Sequence, residues 1–145
     1  MAAPVQVHAS CVARDGEGVL LAGPPGSGKS DLALRLLNRG FVLVSDDRTD
    51  IEDGIARAPA AIAGLLEVRG LGVLRVPYAA EAALRLLVRL GEDAPRLPAP
   101  ERDAQTGLPL VRIAAMTPSA ADRVIAALDC ACGRISQLAG AFADG

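Results

Sequence analysis

The sequence predicts a single α/β domain built around a phosphate-binding loop at the end of a strand. Residues 23–30 read Gly-Pro-Pro-Gly-Ser-Gly-Lys-Ser and satisfy in full the pattern G-x-x-x-x-G-K followed by Ser or Thr. An apolar run at 19–22 predicts a strand before this loop, and regularly spaced leucines predict an amphipathic helix after it. Strand, loop and helix in this order form the context in which the pattern binds phosphates.

The residue types of this loop suit a bound polyphosphate. Glycines let successive backbone N–H groups wrap the phosphates, and the following helix offers unpaired N–H groups and the positive end of its dipole. Lys29 then reaches the β- and γ-phosphates, and the hydroxyl of Ser30 binds Mg²⁺. The alternative is a glycine-rich turn that caps a helix, but pattern and context together favour a nucleoside triphosphate site. Its predicted binding residues are Gly23, Pro24, Pro25, Gly26, Ser27, Gly28, Lys29 and Ser30.

The composition disfavours several classes of protein. A chain of 145 residues suits one domain spanning 1–145, and 51% apolar residues with two Phe, one Tyr and no Trp predict an aliphatic core. Fifteen Lys and Arg against 17 Asp and Glu give a net charge of −2, which disfavours a nucleic-acid partner. The apolar runs are too short for a membrane span and no secretory signal occurs, so a cytoplasmic protein is expected. Three cysteines, Cys11, Cys130 and Cys132, make neither a disulfide framework nor a zinc site in this pattern.

The only histidine is predicted to lie beside the phosphate loop. Apolar and polar residues alternate through residues 5–13, which predicts a strand, and Asp15-Gly16 predicts a tight hairpin turn to the next strand. If these two residues are the centre of the turn, His8 falls opposite Gly23, whereas a turn one residue later moves its partner to Pro25. Either register favours a functional role, and a surface histidine on an edge strand is the alternative.

A second strand is predicted after the helix. The helix is predicted to end at Gly40, and residues 41–44 are apolar without alternation, as in a parallel strand covered on both faces. With the strand before the loop, these elements predict one right-handed βαβ unit. Asp46 and Asp47 follow the second strand, where strand ends line the ligand crevice of α/β sheets. Aspartates there resemble the acidic group of phosphate-loop enzymes, although they also suit an ordinary turn.

Two charges interrupt a later apolar stretch. Residues 49–59 are expected to be irregular, with a hairpin around Asp53-Gly54. Residues 65–74 are apolar except for Glu67 and Arg69, and they carry two glycines. Because a buried charge needs a partner, Glu67 and Arg69 face either solvent from an edge strand or a site that contains metal and phosphate.

The remainder of the chain supplies two strands and a helix. Alternation over 84–90 predicts a strand, and 108–113 predicts the last one. Thr117-Pro118 predicts the start of a helix with an apolar face. Residues 130–145 are expected to form a frayed helical tail.

A long segment separates the last two predicted strands. Residues 91–107 hold three prolines and predict a loop that serves as a lid or a link. Arg96 and Arg102 are its candidate contacts for phosphate or a partner, and solvated charges are the alternative for both.

Four features occur in one order along the chain. They are His8 fifteen residues before the loop, the loop itself, Val44-Ser45-Asp46-Asp47-Arg48, and Leu66-Glu67-Val68-Arg69-Gly70-Leu71-Gly72. Together they resemble the catalytic domain of HPr kinase/phosphorylase, from about His8 to Ile113. The last segment is the most specific, because a phosphate loop alone occurs in many unrelated enzymes. The resemblance implies an α/β fold related to phosphoenolpyruvate carboxykinase, a mixed sheet with flanking helices.

The resemblance also implies an activity. It is that of an ATP-dependent protein kinase that phosphorylates a serine of HPr, the small phosphocarrier of the sugar phosphotransferase system. Asp47 would take the proton of that serine, and ATP and Mg²⁺ would be the cofactors. Phosphoryl transfer needs such a carboxylate together with cations around the γ-phosphate. By similarity, the catalytic residues are His8, Lys29, Asp47 and Arg96, and the metal ligands are Ser30 and Glu67.

The chain departs from longer family members in two places. Because His8 lies almost at the start of the sequence, the amino-terminal regulatory domain of longer members is expected to be absent. The basic segment after the last strand, linked to the reverse phosphorylase reaction, is replaced by residues 114–119. Kinase activity with weak or absent phosphorolysis of phospho-HPr is therefore expected. The family's hexamer loses support if its assembly elements lie in the missing segments, and a homo-oligomer stays open.

Two other functions compete with the kinase. A nucleotide-sensing module would bind ATP or ADP and a signalling partner without turnover, but it would need neither Asp47 nor His8. A kinase of a small metabolite is the other alternative, although a chain of this length has little material for a closed substrate pocket.

Overall fold

The structure, a computed structural model, describes residues 4–143, which form ten strands and two α-helices. No helix in this part of the chain is long and apolar enough to cross a membrane. A short 3₁₀ helix occupies Ala60–Ile62. The strands are β1 (Val5–Val7), β2 (Ala9–Arg14), β3 (Glu17–Ala22), β4 (Val42–Ser45), β5 (Thr49–Glu52), β6 (Ile55–Arg57), β7 (Leu65–Val68), β8 (Gly72–Arg75), β9 (Ala82–Leu90) and β10 (Leu110–Ile113), and the helices are α1 (Lys29–Leu37) and α2 (Ala120–Ala131).

Eight of these strands form one mixed sheet. Their order is β1-β5-β6-β9-β3-β2-β4, with β10 paired to β9. β9 pairs in parallel with β3 and β10, whereas the other pairs are antiparallel. β7 and β8 form a separate antiparallel hairpin. The predicted α/β fold with a mixed sheet and helices is confirmed. Because β3, β9 and β10 run in the same direction, their carboxyl ends meet at one edge, where the phosphate loop begins.

The prediction that the strand after α1 pairs as a parallel strand is wrong. β4 pairs antiparallel with β2, so that β2 lies between β3 and β4. β3 and β4 run in the same direction because both are antiparallel to β2. Val42 is exposed, so β4 is not covered along its whole length as its apolar sequence suggested. An apolar run indicates a strand, but its neighbour is chosen by packing against residues distant in sequence.

The first hairpin has the first of the two predicted registers. Arg14 lies opposite Glu17. Asp15 and Gly16 both have positive φ, 52° and 79°, as a tight two-residue turn between twisted strands requires. The predicted continuous strand is interrupted at His8, because β1 leaves the hairpin and pairs with β5.

Later elements follow the predictions with shifted ends. The hairpin around Asp53-Gly54 forms from β5 and β6, so the segment 49–59 is more regular than expected. α2 begins at Ala120, two residues after Pro118, where the start of the helix was predicted. Residues 132–143 contain turns and irregular chain but no helix, so the predicted helical tail is wrong there. Residues 144 and 145 lie outside the described range.

Both helices pack on one face of the main sheet. The core on that face is aliphatic, as the composition predicted. On the opposite face a second apolar cluster is enclosed by the strands of the sheet itself, because β5 contacts β2 and β6 contacts β4. α1 ends at Leu37, earlier than predicted, and Gly40 with φ of 90° completes the turn towards β4. The helix-side core includes Val12, Leu21, Leu32, Leu36, Leu66, Val88, Val124 and Leu128.

Candidate functional site

The phosphate loop joins β3 to α1 through a backbone that needs two glycines. Gly26 and Gly28 have φ of 82° and 96°, in the region that disfavours other residues. Gly28 precedes α1 and provides no side-chain cap, so the first N–H groups of the helix remain suited to an anion. A Cβ atom at Gly28 would lie 3.0 Å from the Cβ atom of Ala115. Ser27 adds a buried hydroxyl without a hydrogen-bond partner among the described residues.

Lys29 is the only lysine of the chain, and its side chain folds back along the loop. Its Nζ donates to the carbonyl oxygens of Gly23 at 2.9 Å and Pro24 at 3.3 Å. The same Nζ lies 3.9 Å from Oδ1 of Asp47, and the lysine is buried. A cation from α1 and a carboxylate from the turn after β4 therefore meet at the loop.

Asp46 is a buried carboxylate with a hydrogen-bond donor on each oxygen. Oδ1 accepts the hydroxyl of Ser30 at 2.7 Å and that of Ser10 at 3.0 Å. Oδ2 accepts the backbone N–H of Glu67 at 3.0 Å. Such bonds offset the cost of burying a carboxylate. Asp46 consequently joins β2, α1 and β7 at one point, although the sequence had singled it out only as a neighbour of Asp47.

Asp47 adopts a backbone conformation that is uncommon outside glycine. Its φ is 65°, a region in which Asp is more often found than most residues. Its N–H donates to the hydroxyl of Ser10 at 3.0 Å, while its side chain remains 59% exposed. The carboxylate is therefore held from the backbone side and accessible from solvent. We refer to Ser10, Lys29, Ser30, Asp46, Asp47 and Glu67 as the polar edge.

Glu67 lies in the β7–β8 hairpin, which packs beside α1. Leu66 points inward and is fully buried, so the alternation of a strand turns the Glu67 side chain outward, where it is exposed. The side chain is therefore solvent-accessible, the first of the two options left by the sequence, while its backbone N–H is bonded to Asp46 in the polar edge. That the Glu67 carboxylate also faces a metal and phosphate site stays a prediction.

His8 lies between β1 and β2 and is exposed. The last paired residues of the hairpin are Ala9 and Ala22, so the ladder ends one residue before His8 would pair with Gly23. His8 directly precedes β2, and its position beside the phosphate loop stays a prediction.

Arg96 is exposed and lies apart from the polar edge. It lines a cavity of about 350 Å³ between the 91–107 loop, β10, α2 and the chain after α2. No residue of the phosphate loop lines this space, which we call the α2 cavity. The structure thus links Lys29, Ser30, Asp47 and the backbone of Glu67 through an ion pair and hydrogen bonds, whereas Arg96 lines the α2 cavity.

The segment after β10 packs against α1. Arg35 donates to the carbonyl oxygens of Ala115 at 2.6 Å and Thr117 at 3.0 Å. On the other side, Asp93 accepts the N–H of Ala114 and the guanidinium of Arg123, each at 2.9 Å. These two interactions hold the pKa of Asp93 below its usual value, the N–H more than the guanidinium. The turn that abuts Gly28 is thereby fixed from both sides.

Among residues 4–143, no group of three or more His, Cys, Asp or Glu side chains is arranged to hold a metal ion. Mg²⁺ does not require one, because it keeps several waters and takes one or two protein carboxylates together with phosphate oxygens. The polar edge offers oxygen atoms that suit Mg²⁺, namely the hydroxyl of Ser30, which bonds Asp46, and the carboxylates of Asp46, Asp47 and Glu67.

Ser10 and the central role of Asp46 were missed by the sequence reasoning. A single signal pointed to Ser10, namely a polar residue in an otherwise apolar stretch of strand, Ala-Ser-Cys-Val-Ala. The alternation of apolar and polar residues could not predict its hydrogen-bond partners, because Asp46 and Asp47 lie more than thirty residues away in sequence.

Known proteins resemble this chain in sequence over its first half. The family model described as HPr Serine kinase C-terminal domain matches residues 1–84. HPr kinase/phosphorylase from Clostridium beijerinckii is 44% identical over 80 residues, covering 52% of this chain and 26% of that protein. The protein of the same name from Clostridium acetobutylicum is 40% identical over 81 residues, or 53% and 27% of the two chains. The match thus spans about a quarter of the length of these relatives.

The structural likeness extends further than the sequence match. The Hpr(Ser) kinase/phosphatase from Coxiella burnetii superposes with a TM-score of 0.65 and 25% identity, covering 84% of this chain and 86% of that one. The phosphate loop, His8, Asp47 and Glu67 all fall within the residues that the family model matches, whereas Arg96 does not. This chain belongs to the HPr Serine kinase C-terminal domain family.

Proposed function

We propose that this chain is an ATP-dependent kinase that phosphorylates a serine of an HPr-like phosphocarrier protein. The observation that carries the proposal is the 3.9 Å approach of the Asp47 carboxylate to Nζ of Lys29 at the phosphate loop. A base and a phosphate-binding cation at one point are what transfer to a hydroxyl requires. The names of the relatives support HPr as the substrate.

The loop fits a nucleoside triphosphate. Gly26 and Gly28 keep the backbone free of Cβ atoms, the helix start lacks a side-chain cap, and the hydroxyl of Ser27 has no partner in the described chain. When bound, ATP supplies the phosphoryl group and Mg²⁺ offsets its negative charge. Lys29 binds the phosphates, and Ser30 and Glu67 hold the metal.

Asp47 is proposed as the base. Its side chain is 59% exposed, so a serine on another protein can reach the carboxylate. One carboxylate oxygen of Asp47 would accept the proton of the serine hydroxyl as the serine oxygen bonds to the γ-phosphorus of ATP and ADP leaves. Lys29 would stabilise the negative charge of the phosphates during this transfer. His8, which directly precedes β2, is proposed as a further active-site group on the basis of the resemblance.

Other parts of the proposal rest on the resemblance. Residues 114–119 contain no basic side chain, which supports weak or absent phosphorolysis. The resemblance implies that Arg96 is an active-site arginine, but we leave it out of the proposed site because it lines the α2 cavity, which no residue of the phosphate loop lines. A fold related to phosphoenolpyruvate carboxykinase and a homo-oligomeric assembly are proposed on the same basis.

The test is transfer of labelled phosphate from ATP to serine of purified HPr. We expect phosphoserine with the wild-type chain and a fall in kcat of about 10²- to 10⁴-fold in Asp47→Asn. Asp15→Asn is the matched control, because Asp15 also has positive φ but lies in the hairpin turn at the far end of β2.

Two outcomes would contradict the proposal. Nucleotide binding without any phosphoserine would favour the nucleotide-sensing module. Equal kcat values for Asp47→Asn and Asp15→Asn would remove Asp47 from the role of base.

A further inference from the structure

Ser10 is a fully buried hydroxyl in the middle of the sheet. Its side chain lies on the same face of β2 as Val12, two residues further on, which packs in the core under the helices. Ala9, Cys11 and Val12 around it are apolar and buried. A hydroxyl at such a position lowers stability unless it is hydrogen-bonded, so its partners explain its presence.

The hydroxyl of Ser10 bridges the two aspartates that follow β4. It donates to Oδ1 of Asp46 at 3.0 Å and accepts the N–H of Asp47 at 3.0 Å. The second bond holds the amide of a residue with φ of 65°. It therefore fixes the direction in which the Asp47 side chain leaves the backbone.

The same bridge extends to the other residues of the polar edge. Oδ1 of Asp46 also accepts the hydroxyl of Ser30, and Oδ2 accepts the N–H of Glu67. A change at Ser10 alters one bond to Asp46 and one to Asp47 at once. Ser30 and Glu67, the two residues proposed to hold Mg²⁺, are each hydrogen-bonded to Asp46.

We infer that Ser10 is a positioning residue for phosphoryl transfer. It sets the backbone of Asp47 and the rotamer of Asp46, and it acts through these two residues without contacting nucleotide or substrate itself. The inference rests on the proposed kinase function and goes beyond it, because it names a residue of β2 outside the loop and the acidic positions.

Steady-state kinetics with HPr test the inference in three variants. We expect Ser10→Ala to lower kcat about tenfold, the equivalent of about 1.4 kcal/mol, while KM for ATP changes less than about twofold. Ser10→Thr keeps the hydroxyl and should restore kcat to within about threefold of wild type. Thr49→Val is the matched control, because the Thr49 hydroxyl is equally buried and bonds only the carbonyl of Ala9 at 2.8 Å. It should lower stability and leave kcat unchanged.

Amide hydrogen exchange measured by NMR gives a second readout that needs no turnover. The N–H of Asp47 should exchange faster in Ser10→Ala than in wild type under conditions where both remain folded, and Thr49→Val should not show this change. Ser10→Cys, which keeps the volume and weakens both bonds, serves the same comparison if Ser10→Ala does not fold.

Equal kcat in Ser10→Ala and wild type would overturn the inference, and so would an equal loss of kcat in Thr49→Val. A wild-type protein that does not phosphorylate HPr would overturn the proposed function instead. In that event unchanged exchange at Asp47 in Ser10→Ala would overturn the positioning role as well, whereas faster exchange would support it.

Discussion

The polar edge and the α2 cavity differ in how their side chains are held. At the polar edge, one buried carboxylate accepts three hydrogen bonds from three different elements, and a buried lysine faces an exposed carboxylate. The α2 cavity is a space of about 350 Å³, and its lining includes the apolar residues Val111, Ala127 and Phe142. Its arginines at 112 and 123 are already paired with Glu101 and Asp93.

Because of this difference, we propose the site at the polar edge, where polar groups converge, and not at the α2 cavity, which offers volume. Reactive chemistry needs several charged and hydrogen-bonding groups aimed at one point, whereas a roomy apolar space needs only imperfect packing. The two regions also come from different parts of the sequence. The polar edge lies within the residues that the family model matches, and every residue lining the α2 cavity follows them.

Thiol reactivity should separate the two regions most strongly. Cys11 is fully buried one residue from Ser10, and burial raises its pKa to about 12, which lowers its thiolate fraction at pH 8 about a thousandfold. Cys130 is partly exposed and lines the α2 cavity. In the Cys132→Ser variant, an aromatic disulfide reagent should therefore modify Cys130 quickly and Cys11 only after denaturant is added. Rapid modification of both would show that the sheet beside the polar edge opens readily.

Removal of one cation from each region is the next sharpest comparison. Lys29→Met should lower kcat/KM for ATP about 10²- to 10³-fold, because a buried phosphate-binding charge is lost. Arg112→Met removes a cation from the α2 cavity lining and should leave kcat/KM within about twofold. Similar losses in the two variants would contradict the assignment of nucleotide binding to the polar edge.

Asp46→Asn should weaken both stability and catalysis. The amide cannot accept all three donors, so we expect the free energy of unfolding to fall by about 1–3 kcal/mol and kcat to fall about tenfold. Asp103→Asn is the control, because Asp103 also accepts several bonds, from the amide and hydroxyl of Thr106, but lies in the 91–107 loop. It should lower stability and spare kcat, as urea unfolding and kinetics of both variants can establish.

The smallest effect is expected at Arg96. Arg96→Ala should change kcat less than about twofold, because its side chain lines the α2 cavity and not the phosphate loop. A loss of more than about tenfold would mean that the 91–107 loop brings Arg96 to the phosphates during turnover, as the family resemblance implies.

Local patterns predicted most of what surrounds the loop. The phosphate loop follows from its residue spacing, and the hairpin register follows from the turn at Asp15-Gly16. These features depend on residues close in sequence. Glu67 joined the site by resemblance, since its own neighbours left two orientations open.

Long-range pairing explains what was missed. The partner of β4 is β2 rather than β3, and an apolar run carries no information about that choice. Ser10 and Asp46 meet across 36 residues, so only the pairing of β2 with β4 reveals that they share a hydrogen bond. This pairing also explains why a serine occurs in the apolar strand β2, because Ser10 bonds the aspartates that follow β4.

The most direct test is an NMR titration of ¹⁵N-labelled protein with Mg²⁺ and a non-hydrolysable ATP analogue. If the polar edge is the working site, the largest shifts should occur in the amides of residues 26–30, with further shifts at Asp47 and Glu67. Shifts centred instead on Val111, Ala127 and Cys130 would move the nucleotide to the α2 cavity and contradict the account.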